Sequence, residues 1–100
     1  MIRLLVIDDD YFDIMAFKRF FKNIDTIELE TVQSISDAID KIKKSTFDIL
    51  ISDFNLKDGN AFELLEVKGN IPIVIITGVD SGQIALEALK VGAYDFIVKD

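Results

Sequence analysis

One hundred residues supply enough chain for one domain with a single core, and half of them are hydrophobic, which excludes a disordered segment. The net charge of -7 disfavours nonspecific binding to nucleic acid or to an anionic membrane, and suits a protein that holds a cation or docks on a basic partner. With no Cys and no His, thiol chemistry, Ser-His or Cys-His nucleophilic pairs and the usual zinc sites are excluded, so a bound metal must take oxygen ligands, which favours Mg²⁺, Mn²⁺ or Ca²⁺.

The first residues, MIRLLVIDDD, do not read as a signal peptide, because the apolar run is short and meets three aspartates. Leu4 to Ile7 predict a strand. After it, Phe12, Ala16, Phe17, Phe20, Phe21 and Ile24 fall on one helical face, with Lys18, Arg19 and Lys22 elsewhere. A second strand is predicted at Leu29 to Val32. Ser34 or Ser36 can cap the helix that follows, which carries Ile35, Ala38, Ile39 and Ile42, with Asp37 in its first turn. The third strand, Ile49 to Ile51, leads to Asp53, then to a turn at Asp58-Gly59. Ala61, Phe62, Leu64 and Leu65 predict a short helix stopping at Gly69-Asn70, before Pro72. The fourth strand is predicted at Ile73 to Thr77. Ile84, Ala85, Ala88, Leu89 and Val91 predict a helix that ends at Gly92, and Phe96 to Val98 make the last strand.

The resulting pattern, β-α-β-α-β-α-β-α-β, is one α/β domain over residues 1–100, with no linker, low-complexity tract or membrane-spanning stretch. Helices between strands require crossovers, so the sheet should be parallel and covered on both faces. The runs Ile49 to Ile51 and Ile73 to Ile76 are continuously apolar, as strands buried on both faces demand.

In an open parallel sheet, ligands bind outside the carboxyl ends of the strands. The first strand ends on Asp8, Asp9 and Asp10, the third on Asp53, the fourth on Thr77 and the fifth on Lys99. Helix capping is the plain alternative for Asp8 to Asp10, but three consecutive aspartates exceed what one cap needs. Two carboxylates ~4–5 Å apart repel by several kcal/mol at an effective dielectric of ~20, so a cluster of this kind calls for a cation or a proton. Mg²⁺, which keeps several waters, suits few protein ligands. A metal beside a carboxylate, a lysine and a hydroxyl is a set that handles phosphoryl groups, and an Asp can itself be the nucleophile.

These motifs, VIDDD (6–10), ISDFNLKDGNAFELL (51–65), IVIITG (73–78) and GAYDFIVKD (92–100), taken in order and spacing, resemble the receiver domain of two-component response regulators along the whole chain. The resemblance implies a doubly wound, five-stranded parallel sheet of flavodoxin-like order 2-1-3-4-5. It implies that Asp53 is the phosphoacceptor, and that Asp8 and Asp9, with Asp53 and the backbone carbonyl of Asn55, hold Mg²⁺. It further implies that the Thr77 hydroxyl turns toward the phosphoryl group, that Phe96 changes rotamer with it, and that Lys99 pairs with the phosphoryl oxygens. The implied partner is a histidine kinase or histidine phosphotransfer protein in the cytoplasm. The implied activity is phosphorelay signalling rather than enzymatic turnover, beyond self-phosphotransfer and self-dephosphorylation.

The chain also departs from the family pattern. Lys57 stands where Pro is common, which leaves the loop less rigid; the turn to Asp58-Gly59 is the shorter family variant, and Ala61 replaces a frequent Gly. Lys99-Asp100 replaces the usual Lys-Pro, so the peptide bond, often cis in the family, should be trans here, because a cis non-Pro bond costs ~2.5–4 kcal/mol. Four helices are predicted and the family's fifth is missing, which points to truncation of a longer parent. The sheet face near Ile73, Ile75 and Ile97 should then lack its cover, and a second copy of the chain could supply it as a homodimer.

Two other readings remain at this point. Asp53-x-Asn55 is loosely similar to the Asp-x-Asp of dehalogenase-like phosphatases, although Asn55 cannot serve as their general acid. A binding module without phosphorylation, a pseudo-receiver or a flavin binder, is disfavoured by the complete acidic set and by the absence of a Ser- and Thr-rich phosphate loop after the first strand.

Overall fold

The apolar runs become strands and the periodic segments become helices. The structure, a computed structural model, describes residues 1–78 and 82–99. In chain order the elements are β1 (Ile2–Ile7), α1 (Tyr11–Phe21), β2 (Ile27–Val32), α2 (Ile35–Lys44), β3 (Ile49–Asp53), β4 (Asn55–Leu56), β5 (Gly59–Asn60), α3 (Phe62–Leu65), β6 (Ile73–Thr77), α4 (Gly82–Lys90) and β7 (Asp95–Val98). Five strands form one sheet in the order β2-β1-β3-β6-β7, every pair parallel. Counting only the strands of this sheet, that is the expected doubly wound order. The hairpin β4-β5 stands apart from it and was not expected; the sequence there reads only as a turn.

Burial explains the strand order. Leu4, Leu5, Val6 and Ile7 of β1 are all buried, so β1 is an interior strand covered on both faces. One face of the sheet, with Leu5, Ile7, Leu50, Ile73 and Ile75, packs against Ile35 and Ala38 of α2, Leu64 of α3 and Ala88 of α4. Full burial of one such aliphatic side chain is worth roughly 1.5–3 kcal/mol, so this layer dominates the stability of the domain. Arg3 ties the opposite end of the sheet together. Its backbone N–H donates to Asp48 at 2.7 Å, its guanidinium donates to the Thr46 carbonyl and to Glu30, and it stacks over the Phe47 ring.

Two expectations are corrected on the other face. One helical face was expected to carry Phe12, Ala16, Phe17, Phe20, Phe21 and Ile24; Phe17, Phe21 and Ile24 are half-buried, but Ile14 is the buried residue of α1, and Ala16, Phe12 (82%) and Phe20 (71%) are exposed. The uncovered sheet patch does not include Ile73 and Ile75, which are fully buried; it includes Ile97, 53% exposed. The reason is the two-residue period of a strand. Ile73 and Ile75 point to the layer of α2 to α4, whereas Ile76 pairs in register with Ile97 and both face α1. Between α1 and the β6-β7 edge runs an open apolar groove of about 490 Å³, lined by Ala16, Phe17, Phe20, Phe21, Ile76 and Ile97.

Candidate functional site

The aspartates after β1 divide their work. Asp10 is the cap of α1: it has extended backbone, and its side chain accepts from the Phe12 N–H at 2.8 Å. Asp8 is fully buried. Its Oδ1 accepts from the Asp10 N–H at 2.9 Å, while its Oδ2 has no hydrogen-bond partner among the described residues. Capping therefore accounts for Asp10 alone.

β3 lies between β1 and β6, which delivers Asp53 to the centre of the carboxyl edge. Its Oδ1 accepts from the Phe54 N–H at 3.1 Å, and the strand end is fixed by Phe54 N–H donating to the Ile76 carbonyl and Ser52 Oγ donating to the Asp53 carbonyl. Asp8, Asp9 and Asp53 each offer a carboxylate oxygen, and these lie within 4.8 Å of one another. This set fits a hard divalent cation: three oxygen ligands converge, and one belongs to a buried carboxylate whose Oδ2 has no donor among the described residues. Asn55 follows two residues after Asp53, as the first residue of β4.

Burial first, and then hydrogen bonds and neighbouring charges, set the titration of these groups. Burial pushes the Asp8 carboxyl up to about 6, opposed by the Asp10 N–H and reinforced by the charges of Asp53 and Asp13. Burial also raises Asp53, against the pull of Lys99 and the Phe54 N–H, while Asp9 and Asp13 push it further up. Lys99 is held above its ordinary range: burial lowers it, but the hydrogen bond to Asp13 and the fields of Asp53, Asp8 and Asp13 outweigh that.

Thr77 ends β6, is 1% exposed, and its Oγ1 has no hydrogen-bond partner among the described residues. An unpartnered buried hydroxyl beside a carboxylate cluster is costly, by roughly 1–3 kcal/mol, unless something else hydrogen-bonds to it. Lys99 is anchored at the same edge, because its backbone N–H donates to the Thr77 carbonyl at 2.7 Å. Phe96 sits half-buried on β7, opposite Ile75 in the register and on the same sheet face as Thr77. The Lys99–Asp100 peptide bond lies outside the described residues.

Two acidic residues escaped the sequence reading. Asp13, in the first turn of α1, holds the Lys99 ammonium at 2.7 Å, and that contact keeps the Asp13 carboxyl below its ordinary range. No local pattern in the sequence signals it, because its partner lies 86 residues away. Asp58, in the β4-β5 turn, accepts from the backbone N–H groups of Ile35 and Ser36 at 2.9 and 3.0 Å, and so caps α2 from a distance alongside Ser34. The loop after Asp53 was expected to lose rigidity with Lys57 in place of Pro. In the structure the loop carries the hairpin ladder and this cap.

Taken together, the edge holds a carboxylate cluster suited to a hard cation, an ammonium, and a buried free hydroxyl, which is a set able to receive a phosphoryl group. Comparison with known proteins identifies the family. Residues 4–100 match the response regulator receiver domain family. The chain is 29% identical over 103 residues to the two-component response regulator ARR2 of Arabidopsis thaliana, covering 98% of this chain and 15% of that protein. It is 29% identical over 102 residues to the sensory transduction protein LytT of Bacillus anthracis, covering 99% of this chain and 42% of that protein. It therefore spans less than half the length of either relative. Among solved structures, the non-phosphorylated HemR receiver domain of Leptospira biflexa superposes with a TM-score of 0.87 at 28% identity, over 99% of this chain and 82% of that one. A two-component response regulator from Clostridium difficile gives 0.87 at 27% identity, over 99% and 84%. No helix among the described residues is long and apolar enough to cross a membrane. By the family match, the order of its sheet and the residues gathered at one edge, the chain belongs to the response regulator receiver domains of two-component signalling.

Proposed function

We propose that the chain accepts a phosphoryl group on Asp53 from the phosphohistidine of a cytoplasmic histidine kinase or histidine phosphotransfer protein, in a Mg²⁺-dependent step, and that this changes its affinity for partners. The observation that carries the reading is the convergence of Asp53 with Asp8 and Asp9 beside Lys99 and the unpartnered Thr77 hydroxyl. Asp8, Asp9, Asp53 and the backbone carbonyl of Asn55 would hold the ion. When bound, it supplies positive charge against the carboxylates and the incoming phosphoryl oxygens.

A carboxylate oxygen of Asp53 forms the new P–O bond in line as the P–N bond of the phosphohistidine breaks. The leaving imidazole keeps the bonding electron pair and takes up a proton. Lys99 offsets charge on the phosphoryl oxygens. The Thr77 hydroxyl donates to one of them, which satisfies the group left unpartnered in the resting state. Phe96, on the same sheet face, follows the movement of Thr77, so that the surface of α4 and β7 is altered. The histidine belongs to the partner, which is consistent with a chain that has none. Turnover is confined to the chain's own phosphorylation and dephosphorylation. A second copy of the chain is the candidate occupant of the apolar groove between α1 and β7.

The test is beryllium trifluoride, a phosphoryl mimic, added with Mg²⁺ and followed by amide NMR. Signals from residues at the ends of β1, β3, β6 and β7 should shift in the wild-type chain and not in Asp53→Ala. A wild-type chain that does not respond, or an Asp53→Ala variant that responds equally, would sink the reading.

A further inference from the structure

We propose that Asp13 is a positioning residue that competes with the phosphoryl group for Lys99, and so sets how readily the domain enters its phosphorylated state. The inference rests on the phosphoacceptor reading above. Its basis is the partnership found at the edge of the sheet. The Lys99 ammonium, the cation expected to serve the phosphoryl oxygens, makes its ion pair with Asp13, at 2.7 Å, across 86 residues of sequence. Asp53 acts on Lys99 through its charge, but the hydrogen bond goes to Asp13.

The arrangement is held from both sides. Asp13 is fixed in the first turn of α1, whose start is capped by Asp10. Lys99 is fixed by its backbone N–H on the Thr77 carbonyl. The ammonium therefore has two acidic destinations within reach of one anchored stem: Asp13 on the helix side and Asp53 on the strand side. In the resting state the ammonium's hydrogen bond is to Asp13, and Asp53 acts on it through charge alone. A phosphorylated Asp53 carries close to two negative charges and three more acceptor oxygens, which tips the competition toward the strand side. Every transfer of Lys99 must break the pair with Asp13. The two side chains are only partly buried, 41% and 35% exposed, so the pair is of the modest strength usual near a surface. That strength suits a bias rather than a block: Lys99 is restrained without being made unavailable.

Asp13→Asn keeps the shape of the side chain and removes the competing charge. It should bind beryllium trifluoride with Mg²⁺ about threefold more tightly than the wild-type chain, the scale of one partly exposed ion pair. Asp13→Glu, which retains the carboxylate, should return affinity toward the wild-type value. The gain must act through Lys99, so Asp13→Asn should add nothing in a Lys99→Ala background. The Lys99 side-chain NMR signal should also move on Asp13→Asn without any mimic present. A residue that merely supports the helix would produce none of this dependence on Lys99. A wild-type chain that responds to beryllium trifluoride, with an Asp13→Asn variant that binds it equally or more weakly, overturns this inference alone. A gain that persists without Lys99 also overturns it. No response in the wild-type chain overturns the phosphoacceptor reading, and this inference with it.

Discussion

Replacing Asp8 by Asn should make the metal-free domain more stable while taking one carboxylate from the cluster that could hold a metal. Asp8 is fully buried, its Oδ2 has no donor, and Asp9 and Asp53 present carboxylate oxygens within 4.8 Å. Burial raises its folded pKa from 3.8 to about 6, ahead of the repulsion from Asp53 and Asp13. A carboxyl raised on folding holds its proton in the native state at pH values where the unfolded chain has lost it. Stability therefore falls as pH rises from about 4 to about 6, and the full cost of the charge is present above 6. A shift of roughly two units is worth ~3 kcal/mol. Asn keeps the acceptor that receives the Asp10 N–H and puts an NH₂ donor where Oδ2 lacks a partner. Urea denaturation at pH 8 in EDTA should thus show Asp8→Asn more stable by ~2–3 kcal/mol, with the advantage gone at pH 4. Saturating Mg²⁺ should narrow the gap by stabilising the wild-type chain only. A variant no more stable than wild type at pH 8, or equally stabilised at pH 4, would refute the reasoning that the charge on Asp8 opposes folding.

Thr77→Val should separate stability from function in a similar way. It replaces an unpartnered buried hydroxyl with a methyl group, so the unfolding free energy should hold or rise by up to ~1 kcal/mol, while binding of beryllium trifluoride with Mg²⁺ weakens. A clear loss of stability would show that the hydroxyl is satisfied in solution. The groove between α1 and β7 makes its own prediction. If a second copy occupies it, sedimentation velocity should show concentration-dependent association that Phe20→Glu with Ile97→Glu abolishes, without loss of thermal stability. A wild-type chain that stays monomeric at high concentration removes that occupant.

The strands were legible because β-branched runs bounded by polar residues leave little choice. The run at Ile73–Thr77 matches residue for residue, and the others gain at most two residues at either end. The acids at the strand ends were legible for the same reason: a parallel sheet gathers the ends of its strands whatever lies between them. Other features were not. Helix α1 carries phenylalanines on two sides: Phe17 and Phe21 share a face with Ile14, while Phe12 and Phe20 do not, and counting apolar residues does not separate the two sides. What decides is which side meets the sheet, and that depends on how many layers cover it. Asp8 and Asp10 look alike in the sequence; only the turn between β1 and α1 makes one a buried carboxylate and the other a cap. The Asp13–Lys99 and Asp58–α2 contacts join residues far apart in the chain, and no local pattern reports them.

The hold of Asp58 on α2 bears on where the domain can yield. On the α2 side, the segment leaving Asp53 is stitched into a ladder between β4 and β5 and clasped to the first turn of α2. On the β6-β7 side, the Thr77 hydroxyl has no partner among the described residues, and the Lys99 ammonium is held by one partly exposed pair. A jolt of charge at Asp53 thus meets a stiff wall in one direction and a compliant one in the other. Mechanical response should run toward β6, β7 and α4, with α2 serving as the anvil. The substitution of Lys57 for a rigid proline is then no loss, since the stiffness comes from a clasp between elements instead of from the loop's own backbone.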